Sequence, residues 1–160
     1  MTHEEHVQLI ANGIEAGGGG VWADLGAGSG AFILALRDVA GPNTEIHAVD
    51  RDPSALRSLR GTFYRQFPGA DLHLQTADFT GPLDLPPLGG IVAANSLHFV
   101  RDHVSLLRLW REYLKLDGRL ILVEYDTNDG NRWVPFPVLF ETLAAEAQTG
   151  GYREPILIGS

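Results

Sequence analysis

The sequence predicts an α/β fold in which helices flank a doubly wound, mostly parallel sheet. Two short apolar runs, at 21–25 and 46–49, are each followed by an apolar pattern with helical spacing. Strands that alternate with helices in this way pair in parallel through crossover connections. A glycine-rich turn after the first run is the third observation. We therefore predict one Rossmann-like domain over 1–160, with 1–20 as an N-terminal helix and a glycine-rich lead-in.

The segment 21–30 carries the strongest local signal. Its first half, Val-Trp-Ala-Asp-Leu, suits a buried strand, and Gly26, Gly28 and Gly30 follow at alternate positions. Glycine permits backbone angles and a close ligand approach that a side chain would prevent. From 31 onward a helix begins, so the turn presents free backbone N–H groups and a positive helix end. The pattern predicts a binding turn for a nucleotide-like ligand.

The second strand ends in a carboxylate. Asp50 follows the apolar run and stands where a doubly wound fold brings strand 2 beside strand 1. A carboxylate there can accept hydrogen bonds from both hydroxyls of a ribose. Asp52 and Pro53 then supply an N-cap and a first-turn proline for the next helix.

The alternation of strands and helices continues to the end of the chain. Thr2 and Glu5 form a capping-box pattern for a first helix that runs to about Ile14. Further strands are predicted at 72–76, 90–94, 120–123 and, as a sixth strand, 155–158, with helices at about 104–113 and 138–148.

Taken together, these motifs resemble the class I S-adenosylmethionine-dependent methyltransferases, of the small bacterial type, over nearly the whole chain. In that family an acidic-x-Gly-x-Gly-x-Gly segment, here 24–30, wraps the methionine half of the cofactor. The ribose-binding acid corresponds to Asp50, and the acid near the adenine amino group to Asp78. The segment 94–99 corresponds to the one that faces the sulfonium, and Leu-Lys-x-x-Gly-Arg at 114–119 precedes strand 5. The resemblance implies these cofactor-binding residues: Asp24, Gly26, Ala27, Gly28, Gly30, Asp50, Arg51, Asp78, Phe79, Asn95 and Ser96.

The resemblance also implies the chemistry. The cofactor would be S-adenosyl-L-methionine, the product S-adenosyl-L-homocysteine, and the reaction an in-line methyl transfer to a small-molecule acceptor. If the acceptor must lose a proton, His98, just past strand 4, is the first candidate base, and Glu124 or Asp126, at the end of strand 5, is the second. Tyr125, Trp133 and Phe136 are candidates for an apolar pocket wall.

Two other functions fit parts of the pattern. The glycine turn with Ala31 also satisfies a dinucleotide fingerprint, which leaves an NAD(P)-dependent oxidoreductase domain as an alternative. A catalytically idle, cofactor-binding partner subunit is the other, because only two residues follow 158, where the family usually adds a seventh, antiparallel strand. A six-stranded version, a truncated chain and an edge supplied by another subunit all stay open. An exposed edge at strand 5 would favour a homodimer.

Composition narrows the choice of partners and compartment. Twelve basic and twenty acidic residues give a net charge of −8, which disfavours nucleic acid as a partner. The first residues lack a basic and apolar signal, and no apolar run approaches the ~20 residues of a membrane helix, so a cytoplasmic protein without membrane contact is expected. Cysteine is absent, and the six histidines are scattered in the sequence, so no metal site is predicted.

Overall fold

The computed structural model describes residues 1–160 and contains one five-stranded parallel sheet with helices on both faces. The order across the sheet is β3-β2-β1-β4-β5. The direction of winding reverses between β1 and β4, so a crevice opens at the carboxyl ends of these two strands. The strands are β1 (Gly20–Leu25), β2 (Thr44–Asp50), β3 (Asp71–Thr76), β4 (Leu88–Ala94) and β5 (Leu114–Val123).

Five α-helices cover the sheet, and the predicted doubly wound architecture is confirmed. The helices are α1 (His3–Ile10), α2 (Ala31–Ala40), α3 (Pro53–Gln66), α4 (His103–Tyr113) and α5 (Phe140–Thr149), with single 3₁₀ turns at Ala11–Gly13 and Leu97–Phe99. No helix combines the length and the apolar composition that crossing a membrane would require.

Local sequence signals set the helix starts. Thr2 accepts a hydrogen bond from the Glu5 backbone N–H at 3.2 Å, and the Glu5 carboxylate accepts one from the Thr2 N–H at 2.6 Å. Both halves of the predicted capping box are therefore present at α1. At α3, Asp52 accepts from the Ser54 N–H at 2.9 Å and Pro53 occupies the first turn. These contacts satisfy N–H groups that have no partner within the helix.

The central strands β1 and β4 are buried on both faces, which explains why they are almost continuously apolar. On one face the apolar sides of α2 and α3 pack against β2. On the other face α4 packs against β1 and β4, with Trp110 fully buried. The Trp110 indole donates to the Phe79 carbonyl at 3.1 Å, which ties the segment after β3 to α4.

The predicted sixth strand at 155–158 is wrong. This segment forms no regular structure and does not pair with β5. Instead, the Ile158 carbonyl accepts a hydrogen bond from the Asn12 side-chain amide at 2.9 Å, and its side chain lies beside Gly13. The apolar residues that suggested a strand therefore lead the chain back to the N-terminal helix.

The fifth strand starts earlier than predicted, at Leu114. Leu114 pairs with Leu88 of β4, and the register then shifts before Arg119 pairs with Gly90.

Candidate active site

A cavity of about 280 Å³ lies in the crevice beside the carboxyl ends of β1 and β4. Five of the predicted site residues line it: Asp24, Gly26, Ala27, Gly28 and Asn95. The remaining lining residues are His6, Ser29, Ala31, Phe32 and Ala94. The predicted glycine turn is thus one wall of the cavity, and open α/β sheets bind their ligands at this position.

Gly26 and Gly28 serve different purposes in the turn. Gly26 has a positive φ of 87°, and a Cβ there would collide with the Ser96 hydroxyl, so the residue is required for packing. Gly28 has a φ of 55°, but a Cβ there would meet no protein atom within 4 Å. The space beside Gly28 is therefore room for a ligand.

Asp50 fixes the turn. One of its carboxylate oxygens accepts from the Gly28 N–H at 2.8 Å, and the other accepts from the Asp52 N–H at 2.9 Å. Each carboxylate oxygen can accept more than one hydrogen bond, so lone pairs are left for ligand hydroxyls. Asp50 therefore combines a positioning role with the capacity to bind a ligand.

Asp24 is the most unusual group of the site. It is 2% exposed, lines the cavity, and its Oδ1 has no hydrogen-bond partner. Burial, and to a smaller extent the charge of Asp50, raises the pKa of Asp24 to about 7. A buried carboxylate without a partner is costly, so a cationic ligand group in this cavity would be stabilised.

The predicted adenine-side residues lie past the ends of β2 and β3 but do not line the cavity. Asp78 is exposed, and both the N–H and the hydroxyl of Thr80 donate to it, which lowers its pKa. Arg51 lowers that pKa further by its charge. Phe79 is half-buried and packs edge-on against Trp110.

Asn95 and Ser96 hold the end of β4 in place. Asn95 is the one non-glycine residue with a positive φ, 53°, and its N–H donates to the Val123 carbonyl at 2.7 Å. The buried Ser96 hydroxyl donates to the Leu25 carbonyl at 2.9 Å. Ser96 therefore ties β4 to β1, and its hydroxyl proton is already used in this hydrogen bond.

Gly30, with a φ of 89°, starts α2 close to the Leu59 side chain.

His98 and Glu124 form a buried pair at the ends of β4 and β5. The His98 Nδ1 lies 2.6 Å from Glu124 Oε2, and the Leu97 N–H donates to Glu124 Oε1 at 2.8 Å. A carboxylate beside Nδ1 favours the tautomer with a proton on that nitrogen, which leaves a lone pair on Nε2. Two exposed rings flank the imidazole, with centroid distances of 4.4 Å for Phe99 and 6.4 Å for Tyr125.

His6 was missed by the sequence reasoning. It lies on α1, which packs against α2. At the cavity wall its ring packs edge-to-face with the ring of Phe32, with 4.8 Å between the ring centroids. Burial is the main reason that its pKa is lowered. Nothing local in the sequence reveals this position, because it depends on how α1 packs against α2.

Comparison with known proteins identifies the type of domain. A family model described as a methyltransferase domain matches residues 23–120. Ribosomal RNA small subunit methyltransferase C of Acinetobacter baylyi is 30% identical over an alignment of 133 residues, and the match covers 79% of this chain and 37% of that protein.

Solved structures share the fold at lower identity. The mitomycin 7-O-methyltransferase MmcR has a TM-score of 0.76 and is 19% identical, over 94% of this chain and 48% of that chain. Coclaurine N-methyltransferase, solved with N-methylheliamine and S-adenosylhomocysteine, has a TM-score of 0.67 and is 22% identical, over 75% of this chain and 35% of that chain. The chain therefore spans about a third to a half of the length of these proteins.

Proposed function

We propose, since this chain belongs to the class I S-adenosylmethionine-dependent methyltransferases, that it binds S-adenosylmethionine above the glycine turn and transfers the methyl group to a small molecule. The observation that carries the proposal is the unpaired, buried Asp24 carboxylate beside that turn and beside Asp50. When bound, the cofactor would supply an electrophilic methyl carbon on a cationic sulfur.

Residues in the cavity and beside it fit the two halves of this cofactor. Asp24 would pair with the ammonium group of the methionine half, because the pairing supplies the partner that its Oδ1 lacks. Asp50 would accept from the ribose hydroxyls while it holds the Gly28 N–H. Asp78 and Phe79, beyond β3, would stand beside the adenine, as the family resemblance implies.

The His98–Glu124 pair supports an acceptor that reacts through an O–H or N–H group. In this proposal Nε2 of His98 takes the acceptor proton, while Glu124 holds Nδ1–H and stabilises the imidazolium. The exposed Phe99 and Tyr125 rings beside His98 favour an apolar or aromatic body for the acceptor. A small aromatic hydroxyl compound meets both conditions.

Ribosomal RNA is the second candidate acceptor, because a relative at 30% identity is named for that activity. Two features favour the small molecule. The net charge of −8 repels a phosphate backbone. Asn95 is followed by Ser-Leu-His, whereas amino-methylating nucleic-acid enzymes of this superfamily place Pro-Pro and an aromatic residue there.

Transfer of a labelled methyl group separates the candidates. We expect label to enter members of a panel of small phenols and heteroaromatic amines, and not small-subunit ribosomal RNA at the same concentrations. Label found only in the RNA would overturn the small-molecule proposal. Cofactor binding without transfer to either class would support the idle partner subunit.

Asp50→Ala is expected to weaken S-adenosylhomocysteine binding by about 1–3 kcal/mol, because two ribose hydroxyls and the Gly28 N–H lose a charged acceptor. Calorimetric titration measures the loss. Asp52→Ala is the matched control, since it removes a carboxylate two residues away that caps α3. Equal losses in both variants would show that net charge, rather than contact with Asp50, holds the cofactor.

We expect cofactor binding to release the proton of the Asp24 carboxyl group near neutral pH. Its pKa of about 7 in the free protein leaves it partly protonated there, and only the ionised form pairs with an ammonium group. Affinity for S-adenosylhomocysteine should therefore rise with pH between 6.5 and 8, by at most about tenfold per pH unit. Titrations in buffers of different ionisation enthalpy count the released protons. A proton release unchanged in Asp24→Asn would contradict the pairing.

A further inference from the structure

Two histidines and two carboxylates lie side by side on one face of β2 and β3, away from the cavity. In the parallel register, Glu45 pairs with Asp71 and His47 pairs with His73. Residues two apart along a strand share a face, so the four side chains form one group that spans both strands. They belong to the amino-terminal halves of the strands, whereas the candidate active site lies at the carboxyl ends. None of the four lines the active-site cavity.

The potential ligand atoms of the group are close together. His47 Nε2 lies 2.7 Å from Glu45 Oε1, and His73 Nε2 lies 2.7 Å from Asp71 Oδ1. The two imidazole rings are stacked, with 4.6 Å between centroids and 11° between planes. One ligand atom from each of Glu45, His47 and His73 lies within 4.8 Å of the other two.

The structure assigns to this group a binding site for a divalent transition-metal ion of the zinc type. Imidazole nitrogen and carboxylate oxygen are ligands that Zn²⁺ accepts, at about 2.0–2.2 Å, whereas Mg²⁺ and Ca²⁺ prefer oxygen alone. Ligand atoms around a tetrahedral zinc ion are about 3.4 Å apart. Side-chain rotations that unstack the two rings and shorten separations of up to 4.8 Å to about 3.4 Å would bring three ligands to one ion, and Asp71 would supply a fourth or hold His73.

Charge and access both favour a metal ion at this site. Two carboxylates face two imidazoles here, and one divalent cation would neutralise both carboxylates with neutral imidazoles as ligands. The side chain of His47 is 14% exposed, so neighbouring residues hold it in place. The side chain of His73 is 52% exposed and can be reached from solvent. A second cavity, of about 410 Å³, is lined by both Glu45 and Asp71, and gives an ion a route from solvent.

Binding would join an edge strand to its neighbour. β3 is the outermost strand on its side of the sheet and pairs only with β2. An ion held by side chains of both strands binds the folded chain more tightly than the unfolded one, so the melting temperature should rise with the logarithm of the ion concentration relative to its dissociation constant. The inference does not depend on the proposed methyl transfer.

Titration of the chelator-treated protein with Zn²⁺, and separately with Co²⁺, tests the site. We expect one equivalent of Zn²⁺ per chain, a higher melting temperature, and the intense visible absorption of tetrahedral Co²⁺. His47→Gln and His73→Gln should each lower the affinity at least tenfold and remove the absorption. His73→Gln changes an exposed side chain, so it should fold even if His47→Gln does not.

His3→Gln is the matched control for these titrations. His3 also lies beside a carboxylate, with its Nε2 2.9 Å from Asp38 Oδ2, but no second histidine is stacked on it. The control should bind Zn²⁺ like the unmodified chain. Loss of binding in His3→Gln with retention in His73→Gln would overturn the assignment and place the ion at the N-terminus. No binding by the unmodified chain would overturn it outright. An unchanged circular dichroism spectrum and an unchanged melting temperature of metal-free His73→Gln would show that the fold is intact, so the result stands apart from the cofactor proposal.

Discussion

Gly28→Val is expected to abolish S-adenosylhomocysteine binding in a chain that still folds. The residue lines the cavity, and a Cβ there meets no protein atom within 4 Å, so the added side chain would occupy ligand space. Calorimetric titration should show at least a hundredfold loss of affinity, or no binding. Valine at the positive φ of 55° also adds backbone strain of about 1–3 kcal/mol.

Gly17→Val is the control that separates strain from occlusion. Gly17 has a similar φ of 69°, also has nothing within 4 Å of a Cβ, and lies in the lead-in before β1. Both variants should lose similar stability in thermal unfolding, but only Gly28→Val should lose the ligand. Normal ligand binding by a folded Gly28→Val protein would remove the glycine turn from the site.

His98→Ala is expected to lower kcat by about 10² or more while S-adenosylhomocysteine affinity stays within a few-fold. The reason is the loss of the Nε2 lone pair that would take the acceptor proton. Glu124→Gln should lower kcat by a comparable factor, because the carboxylate accepts from the Leu97 N–H and lies beside the His98 Nδ1, whereas an amide has only one acceptor oxygen. An NH2 group beside Nδ1 favours the tautomer that has no lone pair on Nε2.

His103→Ala tests whether such effects reflect packing alone. His103 forms a comparable pair with Glu146, at 3.0 Å, between α4 and α5. Its replacement should lower the melting temperature and leave kcat within about threefold of its original value. If His98→Ala is fully active, positioning of the acceptor would be the whole mechanism, as is sufficient for an acceptor that is already nucleophilic.

The elements that the sequence predicted correctly have local causes. The strand, turn and helix at 20–40 follow from a run of apolar residues, glycines in positive-φ positions and a change to helical spacing. Capping groups at Thr2 and Asp52 identified two helix starts because their hydrogen bonds reach only two or three residues along the chain.

Features that depend on long-range packing were not predictable in the same way. His6 reaches the cavity because α1 packs against α2. The pairing of His47 with His73 depends on the register between β2 and β3, so the sequence, in which 25 residues separate the two, indicated no metal ligand set. At 155–158 an apolar run gave a strand pattern, but contacts with Asn12 and Gly13 determine its course.

In the candidate site, too, the sequence located residues but not the properties that depend on long-range packing. The resemblance pointed to Asp24, but not to its unpaired oxygen or its raised pKa, which result from burial in the folded sheet. It also grouped Ser96 with the cofactor-binding residues, whereas the Ser96 hydroxyl is used to join β4 to β1. The predicted base and its weaker alternative, His98 and Glu124, are partners in one pair because β4 and β5 are neighbours in the sheet.

Calorimetric titration of the unmodified chain with S-adenosylhomocysteine, NAD and NADP tests the central claim most directly. The glycine turn alone fits either type of ligand, but the buried, unpaired Asp24 carboxylate favours a ligand with an ammonium group and disfavours a pyrophosphate. We expect saturable one-to-one binding of S-adenosylhomocysteine and none of either nicotinamide at the same concentrations. Binding of NAD or NADP without binding of S-adenosylhomocysteine would contradict the account.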